Sequence, residues 1–150
     1  MIRYPHARRV VMGLCPSGAA EAPLFGDGPS VSARRMDLLM PTWRDKALGV
    51  NAWTSHDGYH EGYESVVSQI LRQTRCRVVV ALGTTVQDEL GLPGGSAYTW
   101  HTIERWSEWY NNDEPIDVLR FPHPSGLNRH WNDPENRRRG AQALHDALVG

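Results

Sequence analysis

Lysine is almost missing from this 150-residue chain: of sixteen cationic side chains only Lys46 is a lysine, and the rest are arginines. Arginine forks suit phosphate groups, although a GC-rich genome would give the same bias. Cysteine is equally scarce. Cys15 and Cys76 form no CxxC pair and are too few for an iron–sulfur cluster or a zinc site, so no metal and no cofactor is expected. A bridge between the two thiols is one option; reduced thiols in a cytosol-like compartment are the expectation. No stretch approaches the about 18 consecutive apolar residues of a membrane span, and the first residues lack the apolar run of a signal peptide. The chain therefore reads as soluble and cytoplasmic, with no membrane partner. An excess of charge of one sign is also lacking. The net charge of −1 argues against a general electrostatic affinity for nucleic acid.

Distribution matters more than the sum. Arg3, Arg8 and Arg9 stand near the start, and Arg129, Arg137, Arg138 and Arg139 crowd the far end. Acids gather at Glu104, Glu108, Asp113, Glu114 and Asp117, so a basic face and an acidic face are expected. Apolar residues make up 40% of the chain, enough for the core of one ordinary domain spanning 1–150, expected to be a monomer.

Arg9-Val10-Val11-Met12-Gly13 reads as a buried strand feeding a turn. Val78-Val79-Val80-Ala81-Leu82-Gly83 is the clearest strand, continuous in apolar character as a central strand covered on both faces would be. Residues 97–103 and Ile116 to Phe121 suggest further strands. Ser30 or Ser32 is suited to cap a helix with Met36, Leu39 and Met40 inside, whereas residues 49–60 look irregular. Val66, Val67, Ile70 and Leu71 recur at helical spacing within 61–75, and Thr84 or Thr85 caps a short helix to Leu90, closed by Gly91. Asn132 or Asp133, followed by Pro134, opens a last helix to about Leu148. Strands alternating with helices predict a three-layer α/β/α sandwich around a central, mainly parallel four-stranded sheet.

In open α/β sheets ligands collect beyond the carboxyl ends of the strands. Two loops qualify. In Gly13-Leu14-Cys15-Pro16-Ser17-Gly18, glycines let backbone approach a ligand and Pro16 stiffens the turn; an ordinary strand-to-helix turn reads the same way. In Phe121-Pro122-His123-Pro124-Ser125-Gly126-Leu127-Asn128-Arg129-His130-Trp131, two prolines hold a histidine in a rigid, extended segment. His123 is then either a hydrogen-bond donor to developing charge or a satisfied structural histidine. Leu127 is either a wedge filling the gap of an extruded base or a cap on the core. Trp43, Trp53, Trp100, Trp106, Trp109, Tyr110 and Trp131 suit base stacking, but core packing is the expectation beside Glu104 and Glu108. His56 and His60 lack a third metal ligand. Arg137, Arg138 and Arg139 cannot share one helix face.

Together the two loops resemble the signature motifs of the uracil-DNA glycosylase superfamily. The 13–18 segment is similar to its first motif, Gly-x-x-Pro-small after strand one. His123-Pro124-Ser125-Gly126-Leu127-Asn128-Arg129 is similar to its second, and Pro-Ser-Gly-Leu resembles the mismatch-specific branch. Pro23-Leu24-Phe25-Gly26-Asp27-Gly28 looks like the segment whose aromatic ring stacks on the base, with Phe25 or Leu24 in that place. Asn51, near the end of a short strand, looks like the amide that reads the base edge. Glu61 to Gln69 and Val78 to Gly83 resemble the family's helix and following strand.

The resemblance implies base flipping from single- or double-stranded DNA and excision of uracil or a related modified pyrimidine. On it, His123, Asp27 and Cys15 are the catalytic candidates. Gly13, Leu14, Pro16, Ser17, Phe25 and Asn51 would hold the base, and Pro124, Ser125, Gly126, Leu127, Asn128 and Arg129 would meet DNA. Cys15 departs from the Asp, Glu or Asn that many branches carry to position water, although some carry Ala there. A thiol orients water poorly. Asp27 is the nearest stand-in, with Asp57 and Glu61 behind it, unless it is only the turn residue of Gly-Asp-Gly. The alternative is a non-catalytic module that binds a free nucleotide or modified base.

Overall fold

The computed structural model describes residues 3–14, 31–52, 66–104, 114–125 and 128–150. In chain order these form β1 (Arg9–Gly13), α1 (Val31–Leu39), α2 (Trp43–Lys46), β2 (Leu48–Asn51), α3 (Val67–Thr74), β3 (Val78–Leu82), α4 (Thr84–Glu89), β4 (Trp100–Ile103), β5 (Ile116–Phe121), a 3₁₀ turn (Arg129–Asn132) and α5 (Pro134–Val149).

One sheet runs β2-β1-β3-β5-β4. The first four strands are parallel, and β4 is added antiparallel at the β5 edge. The sheet thus has five strands, not the expected four. Residues 48–51, partly read as irregular, form β2, because a four-residue strand is too short to show a period. The chain steps from β1 to β2 in one direction and then back past β1 to β3. Right-handed crossovers moving in opposite directions place their helices on opposite faces.

The burial pattern agrees. Val10, Met12, Val79, Ala81 and Val118 point to a core shared with Val67, Ile70 and Leu71 of α3 and Val86 of α4. Val11, Val80, Leu82, Leu119 and Phe121 point the other way, onto Met36, Trp43, Trp131 and Leu144. Alternate residues of one apolar strand serve two cores, as a sheet covered on both faces requires. The α/β sandwich follows from this two-sided burial.

Local signals set most of the element ends. Asp133 accepts from the Glu135 amide at 2.9 Å and Pro134 occupies the first turn, so Asp133, rather than Asn132, caps α5. Gly83, not Thr84 or Thr85, takes the cap position of α4, and both threonines lie inside the helix. Ser32 lies inside α1 instead of capping it, and Ser30 is outside the described residues. Arg75, at φ 53°, ends α3 in the left-handed conformation usually left to glycine. The aromatic residues divide as follows: Trp43 and Trp131 are buried in the core, Trp100 is half exposed on β4, and the others lie outside the described residues.

Candidate functional site

Parallel strands bring four chain segments to one edge. β2, β1, β3 and β5 end there at Asn51, Gly13, Leu82 and Phe121. Gly13 pairs in register with Asn51, and the Ala52 amide donates to the Gly13 carbonyl at 2.8 Å. The direction of the chain reverses between β1 and β3, which is the switch point where open α/β sheets bind ligands. Strand spacing puts the end of β5 roughly 10 Å from that of β1 and roughly 14 Å from that of β2. The two loops singled out in the sequence therefore leave the same edge of the sheet.

His123 sits two residues beyond β5, and its placement depends on a glycine. Gly83 has φ +91°, and a Cβ built there would lie 3.0 Å from His123 Cδ2 and 3.2 Å from its Cβ. Any side chain at 83 would push the imidazole away from the edge. The Gly83 amide also donates to the Phe121 carbonyl at 2.9 Å, continuing the β3–β5 ladder up to the histidine.

The ring is fixed from the far side as well. The Ser125 amide donates to His123 Nδ1 at 3.1 Å. An acceptor Nδ1 puts the proton of a neutral imidazole on Nε2. Burial lowers the His123 pKa from its ordinary value of 6.5, so the neutral form is favoured. Asn128 Nδ2 and Trp131 Nε1 both donate to the His123 carbonyl at 2.8 Å. Asn128 Oδ1 accepts in turn from the His130 amide at 3.1 Å. Trp131 is itself buried, so the loop is bolted to the core by an indole. The product is a rigid, half-buried, neutral hydrogen-bond donor.

A cleft of about 350 Å³ opens beside His123 on the α4 side of the sheet. Gly83, Thr84, Gln87, Ser96, Arg120 and His130 are among the residues that line it. Gln87 is buried, and its Nε2 donates to the Ala81 carbonyl at 3.1 Å and the Phe121 carbonyl at 3.3 Å, tying α4 to the ends of β3 and β5. Tyr98 does not line the cleft but steadies His130, which does, the Tyr98 hydroxyl lying 2.7 Å from His130 Nε2. Burial raises the Tyr98 pKa to about 12, against a smaller lowering by Arg139, so the phenol keeps its proton. The His130 pKa is lowered by burial first and then by the Arg139 charge, with Asp133 opposing.

Of the residues proposed from the sequence, His123, Gly13, Leu14 and Asn51 share the carboxyl edge. Gly13 and Asn51 are buried, and Leu14 packs against the α3-side core. None of Gly13, Leu14 and Asn51 lines the cleft beside His123. Pro124 is buried, Ser125 and Asn128 are half-buried, and Arg129 is exposed in the 3₁₀ turn. The amide of Asn128 is engaged at both ends within its own loop. Cys15, Pro16, Ser17, Leu24, Phe25, Asp27, Asp57, Glu61, Gly126 and Leu127 lie outside the described residues, as do His56 and His60. Arg137 donates to the Trp131 carbonyl at 2.7 Å, Arg138 pairs with Glu135, and Arg139 lies over the Tyr98 ring. Three neighbouring arginines thus take three separate duties.

Gly83, Gln87, Gly95 and Arg120 were not singled out in the sequence, although a charge inside the run Val118-Leu119-Arg120-Phe121 was a visible signal. Searches of protein-family models and of curated proteins find no match to this chain.

Proposed function

We propose that this protein is a DNA glycosylase-like hydrolase that excises uracil or a related modified pyrimidine. The observation that carries the reading is His123: a neutral imidazole, locked by the Ser125 amide with its proton on Nε2, at the carboxyl edge of a parallel sheet. Cleavage of a pyrimidine N-glycosidic bond sends the bonding electron pair onto the departing base, whose carbonyl oxygen gains negative charge. A donor already in place stabilises that charge without reorganising, and a neutral donor needs no proton taken up from water. The sugar, left with cation character at C1′, is closed by addition of water, whose proton passes to solvent. Asn51 and the segment that begins at Gly13 stand across the switch point on the same edge, where the resemblance puts base recognition. Asp27 and Cys15, with Pro16, Ser17 and Phe25, are the residues that this reading assigns to water placement and base contact. Partner DNA would meet the 124–129 loop, with Arg129 its exposed cation.

A second reading, nucleobase or nucleotide binding without excision, is favoured by Cys15 in the first motif and by a cleft lined by no carboxylate among the described residues. One assay separates the two. A uracil-containing oligonucleotide is incubated with the protein, treated with alkali and resolved on a denaturing gel, beside calorimetry with free nucleotides. Strand breaks at uracil support the hydrolase. Tight nucleotide binding with an intact strand supports the binding module.

A further inference from the structure

The residue least explained by the fold is Arg120. It faces the α3/α4 side of β5, in the row that Met12 and Ala81 fill with apolar side chains. It is 6% exposed. Its Nη1 donates to Gln87 Oε1 at 3.2 Å, a neutral acceptor, and its buried Nη2 has no partner among the described residues. A guanidinium cannot shed its charge at physiological pH, and burying one without an anion is costly. Folds keep such a charge where a ligand compensates it.

The surroundings suit an anion. Arg120 lines the cleft of about 350 Å³ together with the hydroxyl-bearing Thr84 and Ser96 and the imidazoles of His123 and His130. No Asp or Glu is among its described lining residues. Gln87 is held by two backbone carbonyls and so fixes the guanidinium in turn. Gly95 lets the exposed 95–97 turn approach closely: a Cβ there would lie 2.7 Å from Arg120 Nε. Planar guanidinium forks match the oxygen spacing of phosphate.

We infer that the cleft between α4 and the 95–97 turn is a phosphate site, with Arg120 its charged ligand and Thr84 and Ser96 its neutral donors. The ligand class is a phosphate ester, supplied either by a free nucleotide or by the backbone of a nucleic acid strand. This inference does not require base excision, although the cleft shares His123 with the site proposed above.

Thermal unfolding of the full chain tests it, in chloride buffers of matched ionic strength with added sodium phosphate, deoxyuridine monophosphate, deoxyuridine or a short oligodeoxynucleotide. Wild type is expected to show a saturable rise of about 2–6 °C with the phosphate-bearing probes and none with deoxyuridine. Half-saturation at tenfold lower monophosphate than inorganic phosphate identifies a nucleotide, and tenfold lower oligonucleotide identifies a strand. Arg120→Met removes the rise. Gly95→Ala, on an exposed turn, keeps the fold while raising the half-saturating concentration tenfold or more. Wild type giving the same midpoint in phosphate as in chloride, or Arg120→Met and Gly95→Ala both rising as wild type does, overturns the site.

Discussion

Gly83→Ala tests whether His123 is held as described, and its cost can be worked from two separate terms. The first is backbone: at φ +91° and ψ 163° the residue occupies a region nearly exclusive to glycine, worth about 1–3 kcal/mol for any other. The second is steric. The new methyl would stand 3.0 Å from His123 Cδ2, and the ring cannot simply retreat, because Ser125, Asn128 and Trp131 pin its loop. Overpacking of this kind costs about 1–3 kcal/mol. The sum is about 2–6 kcal/mol. Gly91→Ala supplies the control: Gly91 has φ +73° and nothing within 4 Å of its would-be Cβ, leaving only a backbone cost of about 1–2 kcal/mol. In a chain of this size each kcal/mol moves the thermal midpoint by about 2–4 °C. Calorimetry should therefore rank the midpoints wild type, Gly91→Ala, Gly83→Ala, and the His123 ring proton resonances should shift only in the last. Equal losses in the two variants, with unmoved His123 resonances, would refute the packing of the imidazole on the glycine.

Two further outcomes follow from the same geometry. Replacing a mid-helix glycine by alanine normally stabilises a helix by about 1 kcal/mol, yet Gly140→Ala should destabilise by about 1–3 kcal/mol in urea titration. A Cβ there would meet Trp131 Cζ3 at 2.7 Å and Cη2 at 2.8 Å, and that indole is buried. For pH, His123 has its pKa lowered by burial, so the unfolded chain takes up its proton first as pH falls. The stability this neutral ring contributes is complete above pH 6.5 and is lost as pH drops from there toward the folded-state value. Urea midpoints measured down through that window should fall for wild type and fall less for His123→Gln.

Much of the frame was legible because burial on two faces leaves a strong mark. The runs Val10–Met12 and Val78–Leu82 are apolar without alternation, and both proved to be inner strands with neighbours on each side. Asp133-Pro134 announced α5 through cap chemistry that acts over two residues. Leu48–Asn51 was only half legible: four residues carry no period, and its place at the sheet edge comes from pairing with β1. His123 stood out through its flanking prolines. Its partners did not, since the Gly83 contact and the Trp131 bond join residues that only the sheet and the 3₁₀ turn bring together. Arg120 escaped notice for a related reason. A lone arginine in a strand is usually at an edge, and only the strand order shows this one to be enclosed.

The proposed excision rests on the Nε2 proton of His123, and single-turnover kinetics address it most directly. Release of uracil from a defined oligonucleotide should be about ten- to a thousand-fold slower in His123→Ala than in wild type, with the two binding the strand alike. Equal rates in the two proteins would contradict the assignment.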